Sequence, residues 1–200
     1  MKANIKKLVL LMIIPAIATF MMAAIVTAES PRNRSIRGVY AATGSGTCLV
    51  APEGFDGNLI PINGSYMTMA FTMEGIFTFY GDGTGHIERP HAPVVILNSS
   101  LGVPFPSAGN SEDSSNFTYD VERGKITLTQ VPHSHSGAFT AGPLAGYAYQ
   151  NENRNWWGTI SPDGKTIILN SGFPDIITSP PPSEEGLICN GSAVLIWQHN

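Results

Sequence analysis

The chain has 200 residues, of which 42% are hydrophobic, 9% aromatic and 13% charged, with a formal net charge of −4. So few charges on so apolar a chain exclude intrinsic disorder, and two cysteines are too few for a disulfide-dense miniprotein or a four-cysteine zinc site. Gly 21 and Pro 15 exceed the usual share without a three-residue period, which excludes collagen and demands many turns.

Lys2, Lys6 and Lys7 precede an apolar run from Leu8 to Val26 that ends in Val26-Thr27-Ala28, a small-residue cleavage pattern. Residues 1–28 therefore read as a secretory signal peptide and 29–200 as a single domain, exported to the bacterial periplasm or medium. The alternative is an uncleaved anchor, since the run is just long enough to span a bilayer, and that segment is the only expected membrane contact. Loss of the leader removes three lysines and leaves about −7 of formal charge. Arg32, Arg34 and Arg37 then form the one basic cluster, well short of a phosphate-neutralising patch, so no nucleic-acid partner is expected.

The segments that follow are short, rich in Thr, Ile, Val, Phe and Tyr, and bounded by Gly, Asp, Asn or Pro, which predicts strands joined by turns. Ile36 to Thr43 opens the series. From Ala70 to Tyr80 the residues Phe71, Met73, Gly75, Phe77 and Phe79 share one face and Thr72, Glu74, Thr78 and Tyr80 the other, so one face is buried. Gly81 to Gly85 turns the chain, and His86 to Arg89 begins the return. Phe117 to Glu122 and Ile126 to Thr129 form a second hairpin about Arg123-Gly124, and Trp157 to Ile160 with Lys165 to Leu169 a third about Ser161-Pro162-Asp163-Gly164. With Ser192 to Gln198 at the end, eight strands are predicted.

Between the hairpins, roughly 91–115 and 132–152 are rich in Gly, Pro, Ser and Asn and read as mobile loops, the usual place for a binding site. Ser179 to Gly186 reads as an exposed polyproline-type connection. The expected fold is all-β, an eight-stranded antiparallel up-and-down barrel with a β-sandwich as alternative. In a barrel the first and last strands are antiparallel neighbours, which brings Cys48 beside Cys189 and allows a disulfide that an oxidising compartment would maintain.

Few residues carry chemistry. Pro132-His133-Ser134-His135 offers a candidate metal pair, His133 and His135, whose imidazoles share a side in extended chain, with His86 or His91 as a third ligand; the ordinary reading is exposed loop histidines. No Gly-x-Ser-x-Gly elbow or phosphate loop is present, no enzyme motif survives, and no cofactor is expected. Tyr147, Tyr149, Trp156 and Trp157 form the densest aromatic group, read first as core filling, with a ligand-stacking wall as the alternative.

Gly38-Val39-Tyr40 at the head of the first strand, behind a leader and ahead of seven further strands, resembles the lipocalin-like barrels of the calycin group, with Tyr40 where their Gly-x-Trp carries tryptophan. The chain departs from that pattern at Val194-Leu195-Ile196-Trp197-Gln198, which lacks the expected basic residue, and no helix follows the last strand. Hairpins such as Gly158-Thr159-Ile160-Ser161-Pro162-Asp163-Gly164-Lys165 are also similar to those of small secreted bacterial β-proteins without assigned activity.

The expected function is a secreted binding module for a small apolar or amphipathic ligand, with Phe71, Phe77, Phe79, Phe117 and Tyr119 lining the interior. The alternative is a structural or envelope-interaction domain that binds a protein partner through its long loops.

Overall fold

Alternating side chains decide this fold, because each strand presents one apolar edge that only a facing strand can cover. The computed structural model describes residues 33–150, 154–171, 175–178 and 186–199, all within the compact unit Pro31–Asn200. The leader 1–28 and most of the polyproline-type connection lie outside them.

Eleven strands among the described residues share one sheet: β1 (Gly38–Ala51), β2 (Met67–Phe79), β3 (Thr84–Ser99), β4 (Ser107–Glu122), β5 (Lys125–Gln130), β6 (Ser136–Ala141), β7 (Ala148–Tyr149), β8 (Asn155–Ile160), β9 (Thr166–Ser171), β10 (Asp175–Thr178) and β11 (Gly186–Trp197). Every pairing is antiparallel. Neighbours run in the order β3, β2, β1, β11, β9, β8, β5, β4, and β4 also pairs along β3. Strand β6 extends the row from β4 and carries β7, while β10 lies on β11.

All three predicted hairpins are present. Asp82 fixes the first, its Oδ1 accepting from Thr84 N at 2.8 Å and Thr84 Oγ1 at 2.7 Å. Asp163 fixes the third, accepting from Lys165 N at 3.1 Å and Ser161 Oγ at 2.6 Å. The two expected long loops need correction. Residues 91–115 are mostly the second half of β3 and the first half of β4, and 132–152 contains β6 and β7. Their Gly, Pro, Ser and Asn content belongs to a wall that is partly polar inside.

The interior divides along the strands. At one end Tyr40 of β1, Phe79 of β2, Ile87 of β3, Phe117 and Tyr119 of β4 and Leu195 of β11 form a close-packed cluster. Phe79 meets Tyr119 and Phe117 edge to face at centroid distances of 5.0 and 5.2 Å. The segment Asn33–Ile36 stops this end: Asn33 Nδ2 donates to Tyr119 O at 3.2 Å, Asn33 Oδ1 accepts from Val121 N at 3.1 Å, and Tyr119 donates its hydroxyl to Ile36 O at 2.8 Å. At the other end Cys48 and Val50, Met67 and Met69, Val94 and Ile96, Phe139 and Cys189 form a second cluster. Cys48 and Cys189 face each other in the β1–β11 ladder with Cα atoms 4.2 Å apart and are joined by the expected disulfide.

Candidate functional site

The second cluster does not fill its space. It surrounds a cavity of about 350 Å³, inside the range of small-molecule pockets. Met67, Met69 and Phe71 reach it from alternate positions of β2, Val94 from β3, Phe139 and Tyr149 from β6 and β7, and Leu187 from β11. The Cys48–Cys189 bridge is part of the wall.

Where the hollow end meets the packed end, one ladder row carries charge. Arg89 of β3 stands opposite Asp113 of β4, Asp113 opposite Gly137 of β6, and Gly137 opposite Tyr149 of β7. Arg89 donates from Nε to Asp113 Oδ1 at 2.6 Å and from Nη2 to Asp113 Oδ2, the two-pronged arrangement that suits a planar guanidinium and a carboxylate. Tyr149 donates its hydroxyl to Asp113 Oδ2 at 3.3 Å, and His135 Nε2 lies 3.9 Å from the same oxygen. Arg154, just before β8, places its guanidinium 5.1 Å from the centre of the Trp156 ring and also reaches the cavity wall.

Two glycines make the row possible. A Cβ on Gly75 of β2 would sit 2.7 Å from Glu88 O and 2.8 Å from Arg89 Cγ. One on Gly137 would sit 2.6 Å from Tyr149 Cζ and 3.0 Å from Asp113 Cβ. Large side chains therefore lie across positions where the neighbouring strand has none. Register shifts between Glu74 and Ile76 in the β2–β3 pairing and between Arg89 and Ala92 in the β3–β4 pairing flank Arg89. They change the inward set of β3 from Gly85, Ile87 and Arg89 to Ala92, Val94 and Ile96.

Burial alone raises the Asp113 carboxyl, but Arg89, His135 and Arg154 outweigh it and hold the group well below its ordinary value of 3.8. A depressed folded value contributes stability that is complete above the ordinary carboxylate range and is lost as pH falls through it toward the folded value. Urea midpoints measured from pH 6 down to pH 2 are expected to fall more steeply for the natural chain than for Asp113→Asn, which lacks this titration. Equal slopes would remove Asp113 from the acid response. Tyr149 is pushed the other way, up to about 12, first by burial and then by the charge of Asp113.

The aromatic residues expected to line the interior separate. Phe77, Phe79, Phe117 and Tyr119 pack in the closed end, and Phe71 alone of the five borders the cavity. The two histidines separate as well. The chain turns at His133, whose φ is 59°, so the extended geometry needed for a shared ligand side is absent. His133 is exposed, while His135 is buried with its ring 5.6 Å from that of Tyr149. His91 is exposed, and His86 pairs through Nδ1 with Asn116 Oδ1 at 2.8 Å. Among the described residues no three His, Cys, Asp or Glu side chains converge as a metal set. Of the dense aromatic group, Tyr147 and Tyr149 reach the cavity, Trp156 packs on the first cluster and Trp157 faces outward.

Arg89, Asp113 and Arg154 are absent from the residues singled out by motif. Counting back from Phe117 in steps of two gives Ser115, Asp113 and Ser111, the inward face of β4, so the strand period carried a signal for Asp113.

No protein-family model and no curated protein matches this chain. Among solved structures, the crystal structure of Rv2717c from M. tuberculosis matches at 15% sequence identity and a TM-score of 0.29, over 85% of this chain and 99% of that one.

Proposed function

We propose that the protein is a secreted or periplasmic binding module for a small apolar or amphipathic ligand. The observation that carries this reading is the cavity of about 350 Å³, walled mainly by apolar side chains and bordered by a few buried polar groups. The residues in contact with ligand are then Met67, Met69, Phe71, Val94 and Leu187, with the packed aromatics Phe77, Phe79, Phe117 and Tyr119 as the floor support. An eight-stranded barrel of lipocalin-like organisation is the architecture we assign to it. The β3–β4 pairing supports this, because it returns the path of β3, β2, β1, β11, β9, β8, β5 and β4 to its start.

Export is supported by the leader pattern of 1–28 and by the Cys48–Cys189 bridge, which an oxidising compartment maintains. No helix of the described residues is long and apolar enough to cross a membrane.

The test is titration of delipidated protein with an environment-sensitive apolar dye. Saturable binding near one site per chain is expected, and Met69→Trp, which fills the cavity, is expected to weaken it at least tenfold while leaving a cooperative thermal transition. Binding that survives Met69→Trp in a folded protein would place the dye elsewhere and overturn the reading.

A second reading, a structural or envelope partner domain, draws on the outer face. Ile76, Ala41 and Ile196 lie in one ladder row across β2, β1 and β11, with Ile196 54% exposed, and Ile168 pairs with Val194 beside them. The same titration separates the two, since an outer docking face needs no occupied cavity.

A further inference from the structure

We propose that the ligand of this cavity carries a carboxylate head group, received by the Arg89 guanidinium at the cavity wall, with its apolar body among Met67, Met69, Val94 and Leu187. This rests on the reading of the cavity as a ligand site, and it adds the chemistry of the end that the apolar walls cannot specify.

Among the described residues the charged groups on the cavity wall are Arg89, Asp113 and Arg154, two guanidiniums and one carboxylate, and each is less than one-tenth exposed. The carboxylate already serves the protein. Both Asp113 oxygens accept from Arg89, and Oδ2 also accepts from Tyr149, with His135 beside it. A cationic ligand would therefore find the described carboxylate already engaged by Arg89 and Tyr149.

Arg89 keeps donor capacity. Its Nε and Nη2 are directed to Asp113, but among the described residues Nη1 meets only the Met73 sulfur, at 3.5 Å. A thioether is a weak acceptor, and a guanidinium has five N–H groups to place. An oxygen acceptor arriving from the cavity improves on that sulfur, and an ionised one forms a charge-assisted bond roughly twice as strong as a neutral one. Carboxylate matches the planar fork of the guanidinium better than a hydroxyl does. At about 350 Å³ the cavity lies near the lower end of small-molecule pockets, so a short chain or a single ring system fits it.

The experiment compares decanoate, 1-decanol and decyltrimethylammonium by calorimetric titration of the disulfide-intact, delipidated protein at pH 7. Decanoate is expected to bind at least tenfold more tightly than 1-decanol, with no saturable binding of the ammonium compound. A second measurement needs no variant: the carboxyl carbon of bound 13C-labelled decanoate, followed by NMR, is expected to stay ionised to lower pH than in free ligand. Acid and alcohol binding alike, or a bound carboxyl that protonates at or above the pH of the free one, would overturn the head-group assignment and leave the cavity reading standing. Absence of binding by all three compounds would overturn both.

Discussion

Replacing Asp113 with Asn destabilises the folded chain by about 3 to 5 kcal/mol, read as a lower urea midpoint at unchanged slope. The substitution keeps shape and removes charge, so the Arg89 guanidinium stays buried with its carboxylate gone. Desolvation of an uncompensated guanidinium sets the size of the effect, not the attraction within the pair. The double variant Arg89→Met/Asp113→Leu is for that reason expected to recover most of the loss, since a buried ion pair replaced by apolar side chains is often neutral. A single-variant loss below about 1 kcal/mol would mean that water or a shifted neighbour already satisfies Arg89.

Removing the disulfide by Cys48→Ala/Cys189→Ala costs about 4 to 5 kcal/mol on the chain-entropy account. The two cysteines lie 141 positions apart in sequence, so the bridge closes a loop spanning most of the unit Pro31–Asn200. Its ladder position adds a local effect: Cys48 pairs with Met69 on one side and Cys189 on the other, so the bridge ties the wall of the cavity as well as the ends of the chain. Urea unfolding of the double variant against the oxidised protein checks the size. A loss below about 1 kcal/mol would show that the β1–β11 ladder holds without it.

The parts of the fold legible from sequence were those where apolar residues alternate beside a turn. Phe71 to Phe79, Phe117 to Val121 and Trp157 to Leu169 fulfil both conditions, and the hairpins lie where expected. The cavity half was not legible because its inward residues are not uniformly apolar. Ser111, Asp113 and Ser115 point inward from β4 and, with Gly109 and Asn110 before them, read as a polar loop. The register shift beside Arg89 also breaks the two-residue period that would have carried the pattern from Ile87 to Ala92.

Alternation likewise assigned Phe77, Phe79, Phe117 and Tyr119 to the interior but could not say which end of it is empty. That depends on Asn33–Ile36, a segment of few residues that closes one end from outside the strands. For the cysteines the argument needed only which strands are neighbours, and it held.

Strands anchored at one end in a close-packed core can exchange side chains at the other without losing register. Strands β1, β2, β3 and β11 each run from the aromatic cluster to the cavity, so their alignment is fixed before the cavity positions are chosen. On the proposed reading, substitutions at Met67, Met69 or Leu187 then alter which molecule fits while the aromatic end carries the burden of folding. Such a division leaves the cavity end open to redesign while the aromatic end stays constrained by its packing.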